Sequence, residues 1–365
     1  MIVTFPHMGN IYIAAKILFD SLKIKYIIPP INNKKALEIG SRISPEEICL
    51  PFKIMMGNYV QSIEKGSDTI LIVGSCGPCR FGEYCELQTR ILQKEGYNVK
   101  FILIDYPSDA KQGDVFNRLN VITSESPLNK LQITQSILRG IKSMRLVDAI
   151  EKKAHYNSGY EVNKGESKKI LNEALSETYS CENPIAAFNL LKKYKNKINN
   201  VPIDKNKNPI KIAIIGEIYT IIDPFSNLYI EEKLMNYEVS TSRILTPSWW
   251  IKDTSLKLLK LNGINTKRYS KDYLPYWIGG HGRECVSEAV MASNQDFDGA
   301  IQIFPMGCMP EIVSKSILHS ISKDKNFPIM TLVVDEMTGE AGYITRIEAF
   351  LDLLERRKKH VLSRC

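Results

Sequence analysis

The first 125 residues alternate short apolar runs with amphipathic stretches. The runs are rich in Ile, Val and Leu and have the length and composition of buried strands; they lie at residues 2–5, 25–28, 69–73 and 99–104. Between them, apolar residues recur at helical spacing over residues 11–22 and about 83–94, and Asn10 is suited to cap the first of these helices. Short strands separated by helices predict a parallel, doubly wound sheet.

The pattern changes in the middle of the chain and then returns. Residues 128–200 have the spacing of helices and contain no convincing strand. Strand-like runs resume at residues 210–215, near Val239, at 299–304 and at 329–334, and residues 343–357 form a final amphipathic helix. We therefore expect an α/β protein with two doubly wound parallel-sheet domains of the Rossmann or flavodoxin-like type, at 1–125 and 205–365. A helical connector at 126–204 joins them, and a bound group lies in the cleft.

Composition and charge limit the partners and the cellular location that we expect for this protein. The net charge is +8, but seven lysines between positions 192 and 211 account for much of it. No nucleic-acid motif accompanies them, so we expect no nucleic-acid partner. No apolar run is long enough to cross a membrane, and the start of the chain lacks the features of a signal peptide. We therefore expect no membrane association and a cytoplasmic location.

The eight cysteines carry the candidate chemistry. Disulfides are not expected in a reducing compartment, which leaves metal ligands, reactive thiols or buried small side chains. Six of the cysteines stand in distinctive local sequence, and three of these lie within GSCGPCRFGEYCE. The six candidates are Cys49, Cys76, Cys79, Cys85, Cys285 and Cys308.

These cysteines fall at predicted helix starts or just beyond strand ends. Helix N-termini favour thiolate over thiol, and the carboxyl ends of parallel strands border the usual ligand crevice. Scattered single thiols suit an iron–sulfur cluster. Zinc is a weaker alternative, because only one C-x2-C pair is present. A thioredoxin-like reading of CGPC also stays open, although it does not explain Cys49, Cys285 or Cys308.

Several segments, in this order, resemble the superfamily of 2-hydroxyacyl-CoA dehydratases and benzoyl-CoA reductases, and more narrowly its short CoA-protein-activase-like, activator-associated members. They are FPHMGN, ICLPFKIMMGNYVQSIEKGSDTIL, GPCRFGEY, GEIYTIIDPFSNLYI, GGHGREC, FPMGCMPEI and DEMTGEAGYITRIEAF. The resemblance implies two α/β domains with a cluster held by three cysteines in the cleft. Carried over by motif, those ligands are Cys49, Cys79 and Cys308.

The remaining cysteines leave the cluster type open. Cys76, Cys85 and Cys285 stand where other residues often occur in similar proteins, and a second trio beside the first suits a double-cubane 8Fe–9S cluster. The alternative is a single 4Fe–4S cluster with spare thiols nearby.

The resemblance also implies the function. Such proteins receive low-potential electrons from a separate ATP-hydrolysing activator of the sugar kinase/Hsp70/actin fold, and the chain itself has no P-loop. The expected activity is reduction or reductive dehydration of a difficult substrate, an acyl-CoA or another small molecule, in anaerobic metabolism. A non-catalytic electron or cluster carrier and a zinc-stabilised binding module are the alternatives. Relatives suggest a homo- or heterodimer, and the sequence does not identify the substrate.

The sequence assigns no catalytic residue. His281 lies between glycines, where a loop histidine bonded to the backbone is the favoured interpretation. Four carboxylates follow predicted strands, and helix capping is their commonest role. These are Glu217, Asp223, Glu336 and Glu340.

Overall fold

The computed structural model describes residues 1–74, 79–104, 118, 120–258 and 267–362. The chain divides into two compact units. Unit 1 comprises Met1–Ile150, Asn172–Asn196 and Pro247–Gly263, and unit 2 comprises Glu151–Leu171, Lys197–Thr246 and Ile264–Cys365. Helices of the expected connector, 126–204, contribute to both units.

Unit 1 contains a parallel sheet whose strands have the order β1-β2-β3. The strands are β1 (Val3–Thr4), β2 (Thr69–Val73) and β3 (Lys100–Ile104). Residues of β1 and β3 pack with α1 against an apolar core that includes Phe5 and Phe19. The helices of this part of the chain are α1 (Ile11–Leu22), α2 (Lys34–Ile43), α3 (Leu50–Glu64) and α4 (Tyr84–Lys94), and a 3-10 turn at Arg80–Glu83 precedes α4. The predicted parallel sheet and the helix at 11–22 are confirmed.

The expected strand at 25–28 is reduced to a single bridge between Val3 and Tyr26. The amide of Ile27 still donates to Val3 O over 2.8 Å. Two prolines follow at 29–30, and because proline has no amide hydrogen the ladder cannot continue.

Two glycines bring α2 and α3 into backbone contact. A Cβ atom on Gly40 would lie 1.7 Å from the carbonyl oxygen of Lys53, and one on Gly57 would lie 1.7 Å from that of Ala36. No side chain fits at either position, so the two helices approach more closely than ordinary side chains permit. This contact fixes α3, which begins at the residue after Cys49.

Unit 2 contains a second parallel sheet, of order β5-β4-β6-β7. Its strands are β4 (Lys211–Gly216), β5 (Ser240–Ser242), β6 (Gly299–Pro305) and β7 (Ile329–Val334). Every residue of β6 is buried, as expected for a central strand covered on both faces. The continuous apolar runs that predicted these strands reflect that burial.

The remaining helices follow in chain order. They are α5 (Lys130–Asn157), α6 (Glu166–Ser180), α7 (Pro184–Asn199), α8 (Ile218–Ile222), α9 (Ile230–Asn236), α10 (Pro247–Leu258), α11 (Lys267–Ser270), α12 (Gly282–Ser293), α13 (Met309–Asp324) and α14 (Glu340–Leu362). The predicted helical character of 128–200 and of the C-terminal segment is confirmed. No helix in the described ranges combines the length and the apolar character that a membrane span requires.

Candidate functional site

Cys49 is the N-cap residue of α3, with extended backbone angles (φ −66°, ψ 151°). Pro51 stands in the first turn of the helix, where its missing amide hydrogen costs nothing. The side chain of Cys49 is 9% exposed. Its sulfur therefore lies beside the positive end of a fifteen-residue helix, which favours a thiolate.

Cys79 occupies the same position before the 3-10 turn, also with extended backbone angles (φ −70°, ψ 133°). It is partly exposed. Arg80 donates from Nη1 to the main-chain oxygen of Glu47 over 2.9 Å. This bond ties the segment that carries Cys79 to the segment that carries Cys49.

Tyr84 makes a second link between these segments. Its hydroxyl oxygen is in hydrogen-bond contact with Cys49 Sγ. The ring meets Phe52 of α3 edge-on, with centroids 4.8 Å apart, and packs at 4.9 Å from Phe81. An aromatic cluster of Phe52, Phe81 and Tyr84 therefore lies beside the Cys49 sulfur.

Cys85 lies in the first turn of α4 and is partly exposed. Burial, together with the nearby Cys85, raises the pKa of the Tyr59 hydroxyl well above its usual value. Cys85 thus lies close to a buried residue of α3 and belongs to the same unit as Cys49 and Cys79.

Cys308 repeats in unit 2 the local arrangement of Cys49. It is the N-cap residue of α13, with φ −80° and ψ 104°, and is 5% exposed. Pro310 stands in the first turn, as Pro51 does in α3. Gly307 has a φ of +77°, so the chain makes a left-handed turn between β6 and the cysteine. Each unit therefore has a Cys-x-Pro helix start, and the predicted helix starts at Cys49 and Cys308 are confirmed.

Cys285 has different surroundings. It lies in the first turn of α12, fully buried in the apolar core of unit 2. Burial, followed by the charges of Glu311 and Glu288, raises the pKa of its thiol well above the usual value. In the metal-free chain this environment favours the protonated thiol.

Two buried carboxyl groups lie near Cys285. Burial raises the pKa of Glu311 to about 8 and that of Glu288 well above its usual value. Gln302 of β6 donates to Glu311 Oε2 over 2.7 Å and accepts a hydrogen bond of 2.8 Å from the Thr331 hydroxyl. A polar chain therefore runs from β7 through β6 to the first turn of α13.

Three of the four candidate carboxylates have a defined partner, in a helix cap, in a turn or in an ion pair. Glu217 accepts bonds of 2.9 Å from the amides of Tyr219 and Thr220 and caps α8. Asp223 accepts from the amide of Ser226 over 2.9 Å. Glu340 opens α14 and lies 2.8 Å from Lys233 Nζ. Capping, the favoured interpretation, is confirmed for Glu217. His281 is the N-cap residue of α12.

The described residues include six cysteines, namely Cys49, Cys79, Cys85, Cys181, Cys285 and Cys308. Within the described ranges, no group of three or more His, Cys, Asp or Glu side chains is arranged to hold a metal ion. Cys76 lies outside the described residues. Cys49 and Cys308 each stand at the start of an α-helix, a position that favours thiolate over thiol.

No local sequence pattern predicts the contacts of Tyr84 and Arg80 or the burial of Glu311 and Glu288. Tyr84 and Arg80 belong to the GPCRFGEYCE segment, but only the tertiary structure pairs them with the segment around Cys49. Glu311 lies three residues after Cys308, where a first-turn acid is ordinarily a helix-dipole partner. The position of Glu311 in the sequence therefore does not distinguish a helix-dipole partner from a buried carboxyl group.

No protein-family model matches the chain, and no curated protein matches it.

Proposed function

We propose that this chain is an iron–sulfur protein that receives low-potential electrons from a separate ATP-hydrolysing activator and uses them to reduce or reductively dehydrate a small molecule. The observation that carries the proposal is the repeated Cys-x-Pro helix start, with Cys49 in unit 1 and Cys308 in unit 2. The activator and the type of reaction rest on the resemblance of the sequence motifs.

The proposed ligands are the thiolates of Cys49, Cys79 and Cys308. Cys49 and Cys308 stand immediately before α-helices, where unpaired amides and the helix dipole stabilise negative charge on sulfur, and Cys79 stands immediately before a 3-10 turn. Cys285 is a poor fourth candidate because it is fully buried in the apolar core of unit 2. We therefore favour a single 4Fe–4S cluster over the double-cubane form.

A bound cluster supplies one-electron storage at low potential. The chain's own residues would hold the three thiolates, shield Cys49 and Cys308 from water and donate hydrogen bonds to sulfur. Three protein ligands leave one position for another ligand or a substrate, as an open metal site does.

The test begins with protein purified without oxygen, in which iron, acid-labile sulfide and zinc per chain are measured with the visible spectrum. About four iron atoms per chain, lost in Cys49→Ser, Cys79→Ser and Cys308→Ser, is the expected result. Cys181→Ser is the matched control, because Cys181 lies beyond the end of α6 and contacts Asn183 O at 3.5 Å. About eight iron atoms, sensitive to Cys285→Ser, would favour the double cubane. Zinc without iron, after failed cluster reconstitution, would refute the redox function.

A non-catalytic electron carrier is the second candidate. Substrate-dependent oxidation of the reduced cluster would identify an enzyme. Oxidation by a partner protein alone would identify a carrier.

A further inference from the structure

The contact between Tyr84 and Cys49 joins residues 35 positions apart in the sequence. Tyr84 is 2% exposed and Cys49 is 9% exposed, so water has little access to the pair. A hydrogen bond in such a setting is electrostatically stronger than one at the surface.

The ring of Tyr84 is held from two sides. Phe52, fully buried on α3, meets it at an interplanar angle of 87°, and Phe81 packs against it at 51°. The hydroxyl group is therefore directed at the sulfur by packing that involves both cysteine-bearing segments. Removal of the oxygen alone would leave these ring contacts in place.

The direction of the hydrogen bond follows from the chemistry of the sulfur. A cysteine that binds iron does so as a thiolate and has no proton to donate. The Tyr84 O–H group must then be the donor and the sulfur the acceptor.

We propose that Tyr84 is a positioning residue that donates a hydrogen bond to the Cys49 thiolate and raises the reduction potential of the cluster bound there. This inference rests on the proposed function. It assigns to Tyr84 an effect on the bound group that acts through Cys49.

The sign of the effect follows from charge. Reduction adds one electron, supplied by the external reductant, and increases the negative charge on the cluster and its sulfur ligands. A donor to one of those sulfurs stabilises the reduced form more than the oxidised form, because the bond is charge-assisted. The hydroxyl proton remains on the tyrosine oxygen throughout.

Tyr59 provides a matched control. It is a fully buried tyrosine of the same unit, and its hydroxyl oxygen has no hydrogen-bond partner among the described residues. Tyr59→Phe removes the same atom as Tyr84→Phe from a similarly buried place without removing a bond to Cys49.

The experiment is an anaerobic redox titration of the full-length protein with dithionite, followed by electron paramagnetic resonance. Tyr84→Phe should retain iron and shift the midpoint potential to a more negative value. A roughly tenfold change in the equilibrium constant corresponds to about 59 mV for a one-electron couple. Tyr59→Phe should match the wild type.

A second variant should shift the midpoint potential in the opposite direction. It also provides a test that does not require Tyr84→Phe to be stable. Fluorinated tyrosine incorporated at position 84 keeps the hydroxyl group and makes it a stronger donor, so the potential should become less negative. Equal potentials in the wild type and in the iron-containing position-84 variants, or equal shifts in Tyr59→Phe, would overturn the inference while the proposed function stands. Wild-type protein that binds no iron under any condition would overturn both.

Discussion

Arg80 Nη1 lies 2.9 Å from the main-chain oxygen of Glu47, and this bond connects the residue after Cys79 with the segment that leads into Cys49. Arg80 is exposed, so the bond contributes about 1 kcal/mol or less. Its importance is positional, since it spans the two cysteine segments of unit 1.

Arg80→Met should therefore accelerate the loss of iron to a chelator by a few-fold while leaving the fold intact. The rate is measured from the decay of the visible absorbance in oxygen-free buffer. Arg90→Met is the control, because Arg90 is an exposed arginine of α4 whose ion-pair partner is Glu86 on the same helix. Equal rates in both variants would show that the Glu47 contact is unimportant for cluster retention.

Gly57→Ala should destabilise the protein, because the added methyl group would meet the Ala36 carbonyl at 1.7 Å. Overpacking of this kind typically costs about 1–3 kcal/mol. Gly342→Ala, on α14, is the control, since no heavy atom lies within 4 Å of the added atom there. The measurement is the free energy of unfolding from urea denaturation. A Gly57→Ala variant as stable as the control would contradict the backbone contact.

The raised pKa of Glu311 predicts a specific dependence of the free energy of unfolding on pH. Burial raises its pKa from 4.5 to about 8 in the folded protein, so the folded state holds an extra proton between these values. Its contribution to stability is present below pH 4.5 and is lost as the pH rises towards 8. The slope for one group is roughly 1 kcal/mol per pH unit.

Glu311→Gln preserves the shape of the side chain and removes this titration. The variant should gain stability relative to wild type as the pH rises from 4.5 to 8, measured by urea denaturation of iron-free protein. Asp352→Asn, at an exposed position of α14, is the comparison variant. Parallel pH profiles for wild type and Glu311→Gln would refute the assignment.

His7 should give a dependence of stability on pH that is opposite to that of Glu311. Burial lowers its pKa from 6.5 to about 4, so the unfolded chain binds a proton more readily between these values. Stability contributed by the neutral ring is present above pH 6.5 and is lost as the pH falls towards 4. His7→Gln should flatten this part of the stability profile. His319→Gln, on an exposed face of α13, is the comparison, and an NMR titration of the His7 ring would measure the pKa directly.

The strands were largely predictable because each is a short apolar run buried in a sheet. The run at 69–73 coincides with β2, and that at 329–334 coincides with β7. The prediction of a strand at 25–28 was wrong because the pairing of strands depends on the tertiary structure. There, pairing with β1 is limited to a single bridge at Tyr26 and the hydrogen bonds of Lys25 and Ile27 with Val3.

The candidate site was predictable only in part. Helix starts at Cys49 and Cys308 follow from local sequence, since a proline two residues further on suits the first helical turn. The pairing of Tyr84 with Cys49 depends on how α3 and α4 pack, and no local pattern contains that information. The unfavourable setting of Cys285 likewise arises from burial beside Glu311, a residue 26 positions away.

The glycine contact between α2 and α3 restricts translation along the helix axis. If α3 advanced by one residue along its helical path, a rise of about 1.5 Å with a rotation of about 100°, the side chain of Met56 or Asn58 would take the place of Gly57 against the Ala36 carbonyl. The helix pair therefore has a single permitted register. Because Cys49 stands at the start of α3, this register also fixes the position of its sulfur along the helix axis. The sulfur moves along that axis only if α2 moves with α3.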